Sequence, residues 1–300
     1  MSDTPPEKRN DFRFFHRLRV RWAEVDMQKI VFNAHYLMYF DTAIADYWRA
    51  LALPYEEAML ALGGDLYVRK ATVEFNASAR VDDVLDVGMK CVRVGNSSIV
   101  FHGGLFRGDG LLVTCELVYV FADPATQTPR PVPQALRDMF TDYEVGQTLC
   151  EVRTGDWATL GDSAGALRRA VFIEEQRIPK ELEWDEHDAV SLHAVARNRL
   201  GQVIGTGRLL PAEDGVAHIG RMAVHRLLRG SGHGAAVLHA LEDAARARGD
   251  RLVALNAQRI AESFYRRLGY TVVGEPFEEA GIPHIEMQRS LVGQMSSSNG

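Results

Sequence analysis

Between residues 33 and 51 the apolar side chains Tyr36, Leu37, Phe40, Ile44, Tyr47, Trp48 and Leu51 return every three or four positions. That spacing predicts a helix with a wide buried face, capped by Asn33 and stopped before Pro54. After Gly63-Gly64 the pattern becomes extended. Residues 66–75, 84–94, 98–106 and 111–122 read as strands, broken at Asp82-Asp83, Gly95-Asn96 and Gly108-Asp109-Gly110. The last two breaks are short enough for hairpins. A strand over 14–22 precedes the helix, and a short helix over 133–143 follows a stretch carrying Pro124, Pro129, Pro131 and Pro133. One long helix and a meander of strands make an α+β layer.

The second half alternates differently. Helices are predicted over 163–176, 234–249 and 260–268, with strands over 191–197, 203–210, 217–224 and 252–257 and extended chain from 270 onward. That is a mixed α/β sheet, and no internal repeat links it to the first half. The length, 300 residues, also predicts two domains. The expected division is a first domain over 12–143, a linker over 144–149 and a second domain over 150–291. The polar ends, 1–11 and 292–300, are expected to be disordered.

Charge and cysteine usage exclude several classes. Lys and Arg number 34 against 40 Asp and Glu, a net charge of −6, so no positive excess exists to hold nucleic acid or an anionic membrane. Cys91, Cys115 and Cys150 form no close pair, which argues against a zinc cluster or a disulfide framework and for a reduced cytoplasm. No apolar run approaches the roughly 20 residues that span a bilayer. The ten histidines include no H-E-x-x-H, so no metal is expected.

Two motifs mimic chemistry. Gly161-Asp162-Ser163-Ala164-Gly165 fits the nucleophile elbow G-x-S-x-G, but no strand precedes it, and Ser163 more simply caps the following helix. Gly230-Ser231-Gly232-His233-Gly234-Ala235 fits a dinucleotide fingerprint, yet the acid at the right spacing, Asp250, stands before a strand rather than at its end. A phosphate cradle fits the stretch; a nicotinamide cofactor does not. The strand ending near Val224 runs through a basic, glycine-rich turn into a helix, whose first N–H groups and positive dipole end suit an anion.

Arg229-x-x-Gly232-x-Gly234 resembles the R/Q-x-x-G-x-G/A signature of the GNAT N-acetyltransferases. Residues 261–270, with the pair Phe264-Tyr265 before Gly269-Tyr270, resemble the family's second signature, and residues 171–176 and 281–287 resemble its ElaA-like branch. The resemblance implies acyl-CoA or acetyl-CoA as substrate, with no permanently bound cofactor. Its pyrophosphate would lie on Arg229, Gly230, Ser231, Gly232, His233 and Gly234, and its pantetheine arm along Met222, Ala223 and Val224. Tyr265 would protonate the leaving thiolate, a transfer that a phenol can make. Glu174, Glu175 and His284 are candidates for the base that deprotonates the acceptor, an unidentified amine.

In the first half, residues 21–36 place Asp26 shortly before the long helix. The segment resembles the hotdog-fold acyl-CoA thioesterases of the 4-hydroxybenzoyl-CoA branch, whose pattern falls here on Asp26, Lys29, Val31, Asn33 and Tyr36. The resemblance implies that Asp26 attacks the thioester carbonyl or activates a water. The helix-opening N–H groups of Asn33, Ala34 and His35 would face the developing oxyanion. Lys29 stands where that family has glycine, so either the turn accepts an ordinary residue or its geometry differs.

The sequence thus reads as an α+β hotdog domain followed by an α/β GNAT domain with a mixed sheet. The expected protein is a cytoplasmic, bifunctional acyl-CoA thioesterase and N-acyltransferase, a homo-oligomer through its hotdog half. Two rivals keep the folds. In one the hotdog half only binds acyl-CoA and oligomerises; in the other the GNAT half only senses CoA.

Overall fold

The computed structural model describes residues 8–292, and the chain divides after Leu149 into two compact units. The disorder expected of 1–7 and 293–300 lies outside the described residues. Residues Arg9–Asp11 form a single 3-10 turn, and Arg9 Nη2 sits 2.7 Å from Asp86 Oδ2.

In the first unit the order is β1 (Phe14–Arg19), α1 (Asn33–Ala50), α2 (Tyr55–Leu62), β2 (Asp65–Phe75), β3 (Val84–Val94), β4 (Ser98–Arg107), β5 (Gly110–Ala122) and α3 (Gln134–Glu144). The strands form one antiparallel sheet in the order β1-β3-β4-β5-β2. Helix α1 packs on that sheet through Tyr36, Tyr39, Phe40, Ala43, Ile44, Tyr47 and Trp48. Its close approach depends on Gly103 in β4, where a Cβ would come within 2.6 Å of the Phe40 ring. Leu37, expected on the buried face, is exposed, and Tyr39 and Ala43 take its place. The first strand ends at Arg19, so Trp22, expected inside it, is 83% exposed. Asn33 is the first helical residue rather than the cap; Phe32 holds the cap position without a side-chain bond.

Glu144, half-buried, closes α3. Its carboxylate accepts from the Tyr47 hydroxyl and, at 2.9 Å, from the Cys91 N–H. Burial, with the Glu144 charge beside it, pushes the Cys91 thiol up to about 12.

The second unit runs β6 (Cys150–Gly155), α4 (Trp157–Arg168), α5 (Lys180–Glu183), β7 (Leu192–Asn198), β8 (Val203–Leu209), β9 (Val216–Val224), α6 (His233–Arg248), β10 (Leu252–Gln258), α7 (Glu262–Arg267), β11 (Thr271–Glu279) and β12 (Ile282–Ser290). Its sheet is mixed, in the order β11-β12-β10-β9-β8-β7-β6, with only the β9–β10 pair parallel. Helix α4 starts six residues before the predicted position because Asp156 caps it, accepting from the Thr159 N–H at 2.9 Å. Ser163 is therefore not a cap. It lies inside the helix, its hydroxyl accepting from Arg197. The helix continues into a π-helical stretch, Arg169–Glu175. Gly249, at φ 96°, ends α6 in the left-handed conformation that glycine favours.

Candidate functional site

In the first unit a tight hairpin carries Asp26. Val25 bridges Val31, the Asp26 N–H reaches the Ile30 carbonyl at 2.9 Å, and the Lys29 N–H reaches the Asp26 carbonyl at 3.0 Å. Three residues, Met27 to Lys29, make the loop, and its last position lies in the left-handed region. Lys29 occupies it at φ 61°. The turn thus keeps the left-handed geometry despite its ordinary residue, at a cost of about 1–2 kcal/mol. Lys29→Gly is expected to raise stability by roughly 0.5–1 kcal/mol, seen as a higher urea midpoint, once glycine's own entropy is subtracted.

Backbone bonds pin this hairpin beside the start of α1. The Phe32 N–H donates to the Glu24 carbonyl at 2.9 Å, and the Val31 N–H to the Ala79 carbonyl at 2.9 Å. The buried Glu24 carboxylate ties the two together, accepting from the Tyr39 hydroxyl of α1 at 2.7 Å and from Arg21 Nε at 2.7 Å. Burial opposes its charge, but the Arg21 N–H and guanidinium and the Tyr39 hydroxyl outweigh it and hold the carboxyl below its ordinary range. No motif pointed to Glu24. Tyr36 accepts from the Ala79 N–H at 2.9 Å. Burial raises its phenol, and the charges of Asp83 and Asp26 push the same way.

At the helix start the N–H groups of Asn33 and Ala34 have no partner among the described residues, and no side chain caps the end. The His35 N–H is already used, donating to the Phe32 carbonyl at 2.9 Å. Two donors remain for an oxyanion, rather than the three expected. Asp26 is half-buried; its Oδ1 accepts from the Gln28 N–H at 2.8 Å.

In the second unit β9 and β10 pair only over Val216–His218 with Leu252–Ala254, and then part. On its other side β9 bulges against β8, with Arg221 at φ 51°. A cavity of about 500 Å³ opens along the parted strands. Met222 from β9, Leu255 and Gln258 from β10, Tyr265 from α7 and His284 from β12 all line it. Sequence positions more than sixty residues apart thus meet in one space.

Tyr265 is 7% exposed, and its hydroxyl makes no hydrogen bond among the described residues. Burial pushes its phenol up to about 12, which keeps it a proton donor near neutrality. His284 Nδ1 lies 2.8 Å from the Ile282 carbonyl. A carbonyl can only accept, so Nδ1 carries a hydrogen, and in the neutral tautomer that this leaves the lone pair is on Nε2. The other proposed bases lie elsewhere. Glu174 is exposed and does not line the cavity. Glu175 grips Arg229 through both oxygens, at 2.6 and 2.7 Å. The Arg229 guanidinium holds its carboxyl below the ordinary range.

The glycine-rich turn forms an amide nest. Gly230 and Gly232 sit at φ 84° and 89°, and Gly232 precedes the first turn of α6. Among the described residues the N–H groups of Gly232, His233, Gly234 and Ala235 have no backbone partner, whereas the Ser231 N–H reaches the Leu228 carbonyl at 3.4 Å. Burial lowers the His233 imidazole, and its Nε2 is buried without a partner among the described residues. Sequence reasoning missed the charges around the cavity. Arg208, Arg221, Glu183 and Asp185 line it, and they pair in a network that also takes in Arg168 and Asp188.

Among the described residues no helix is long and apolar enough to cross a membrane, and no cluster of three metal-ligating side chains occurs. All three cysteines are free thiols.

A five-stranded antiparallel sheet on a long helix is the hotdog fold, and a mixed seven-stranded sheet with parted central strands is the GNAT fold. Residues 160–291 match the family model of the acetyltransferase (GNAT) domain, and residues 28–114 that of the thioesterase superfamily. The chain belongs to the GNAT acetyltransferase family through its second half, and its first half is similar to the thioesterase superfamily over the residues that model matches. The uncharacterized N-acetyltransferase YjcF of Bacillus subtilis is 38% identical over 124 residues, covering 41% of this chain and 87% of that protein. The acyl-CoA thioester hydrolase YbgC of Escherichia coli is 28% identical over 120 residues, covering 40% of this chain and 89% of that protein. The crystal structure of Escherichia coli ElaA shares 28% identity over 47% of this chain and 99% of its own, with a TM-score of 0.43.

Proposed function

We propose that the chain is a bifunctional acyl-CoA enzyme: its first half hydrolyses acyl-CoA thioesters, and its second half passes an acyl group from CoA to an amine. The observation that carries the transferase half is the meeting of Tyr265 and His284 in the cavity between the parted strands. The donor's pyrophosphate would lie on the amide nest at Gly232–Ala235. Its pantetheine arm would follow Met222, Ala223 and Val224. His284 Nε2 would take the proton from the acceptor nitrogen as that nitrogen attacks the carbonyl carbon. The C–S bond then breaks, and Tyr265 donates its proton to the departing thiolate. Of the three candidate bases only His284 lines that cavity, so it is the base we assign.

In the hydrolase half Asp26 would attack the thioester carbonyl or draw a proton from water. The free N–H groups of Asn33 and Ala34, at the positive end of the α1 dipole, would receive the oxyanion. Retention of the left-handed turn at Lys29 favours this over a purely binding role. A second copy of the chain would cover the exposed Met27 and Phe75, with β2 as the free edge of its sheet, giving a homo-oligomer.

Thiol release measured across short, long and aromatic acyl-CoAs, with and without a panel of amines, tests both halves together. Amine-independent release from some acyl-CoA, and amine-stimulated release from some acyl-CoA, are the expected results. Absence of the first leaves the hotdog half a binding module; absence of the second leaves the GNAT half a CoA sensor.

A further inference from the structure

We propose that the acceptor amine carries a second positive charge and that Glu279 recognises it, an assignment that rests on the acyltransfer reading of the same cavity. The other charged side chains that line the cavity, Glu183, Asp185, Arg208 and Arg221, are paired in a network that also includes Arg168 and Asp188. Arg168 Nε lies 2.5 Å from Glu183 Oε1 and its Nη1 2.7 Å from Asp188 Oδ1. Arg208 Nη1 lies 2.5 Å from Asp185 Oδ1 and 2.8 Å from Asp188 Oδ1, and Arg221 Nη2 lies 3.1 Å from Asp185 Oδ2. Three guanidiniums thus face the three carboxylates Glu183, Asp185 and Asp188.

Glu279 stands outside that network. It ends β11 opposite Ile282, and the chain reverses through Ala280 and Gly281, at φ 52° and 75°. Its carboxylate nevertheless reaches across to β10, where Asn256 Nδ2 donates to it at 3.4 Å. The hairpin tip is therefore folded over the sheet, and Glu279, Ala280 and Asn256 wall one side of the cavity. An amide dipole leaves a carboxylate's charge in place, and Glu279 has no ion pair among the described residues.

His284 supplies the second, independent feature. It is 8% exposed and lines the same cavity, with Nδ1 committed to Ile282 and no partner for Nε2 among the described residues. Apolar side chains, among them Phe172, Ile178, Ile219 and Leu255, form much of the remaining wall, beside the polar Gln176, His218 and Gln258. A ligand that satisfies all three features has a reacting amine at His284, an aliphatic body, and a cation at Glu279. An acceptor bearing a carboxylate meets an unpaired like charge and guanidiniums that already have partners, which disfavours it. The structure therefore assigns the acceptor to the aliphatic diamines or polyamines.

The experiment uses the full chain, acetyl-CoA, and a series of α,ω-diamines set against the matching monoamines and ω-amino acids. Diamines are expected to be preferred. Glu279→Gln is expected to raise their KM about tenfold with little change in kcat, the size of one charge-assisted contact, and to erase their advantage over monoamines. Glu279→Lys should move the preference toward ω-amino acids. Monoamines serving as well as diamines, or Glu279→Gln leaving the diamine preference intact, would overturn the assignment while the acyltransfer reading stands. If no amine of any class accelerates thiol release, both fall together.

Discussion

Asp26→Asn is expected to lower amine-independent thiol release from acyl-CoA about a thousandfold, within the range that loss of a catalytic base or nucleophile spans. Asparagine is the informative replacement because Asp26 has a structural duty as well. Its Oδ1 accepts the Gln28 N–H, and an amide oxygen can do the same, so the hairpin that ends at Lys29 survives while the charge is lost. Amine-stimulated release should persist, because the residues proposed for acyl transfer, Tyr265 and His284, belong to the second unit. Both activities are read in one thiol assay, with and without amine. A variant that loses both has lost its fold, which circular dichroism would show. A variant that hydrolyses acyl-CoA at the original rate removes Asp26 from the reaction and leaves the first half as a binding module.

Local chemistry was legible in the sequence wherever one short segment contained it. Helix α1 follows from its apolar spacing, and the nest before α6 from glycines at 230 and 232 that the structure places at positive φ. What the chain could not announce was set by partners far away. Asn33 looks like a cap, but the Phe32 N–H is drawn to the Glu24 carbonyl, and that bond moves the cap one residue earlier. Helix α2 is only eight residues long, too short to display a period, and β6 is an edge strand with no buried side chain. Ala280-Gly281 carries no strong turn signal, so the β11–β12 hairpin read as one extended tail. The paired charges around the cavity come from positions 183 to 221 with no fixed spacing, and only the folded sheet brings them together. Glu175 shows the same limit from the other side. A carboxylate near the right place in the chain passes for a base until the structure hands it to Arg229.

Tyr265→Phe should cut kcat for acetyl transfer by about a hundredfold or more, the scale of a lost general acid. The ring's packing against Phe264 and Tyr270, with centroids 4.9 and 5.7 Å away, makes no use of the hydroxyl, so the fold is expected to hold. The pH profile separates a proton donor from a packing residue. A donor must be protonated to act, and burial has pushed the Tyr265 phenol up to about 12. The protonated form is therefore the population at every pH up to about 11, and Tyr265 adds no alkaline fall below that point. The wild-type and Tyr265→Phe profiles should be parallel from pH 6 to 10 and differ by a constant factor. The KM for acetyl-CoA should move little, because the site proposed for the donor's phosphates, the amide nest, does not include Tyr265. With a series of acyl donors whose leaving thiols differ in pKa, the wild-type rate should be almost insensitive to the leaving group, while the variant should favour the more acidic thiols. Such a slope appears only if the lost hydroxyl was protonating sulfur. Equal slopes for the two proteins would make Tyr265 a wall of the cavity and leave the thiolate to collect its proton from water.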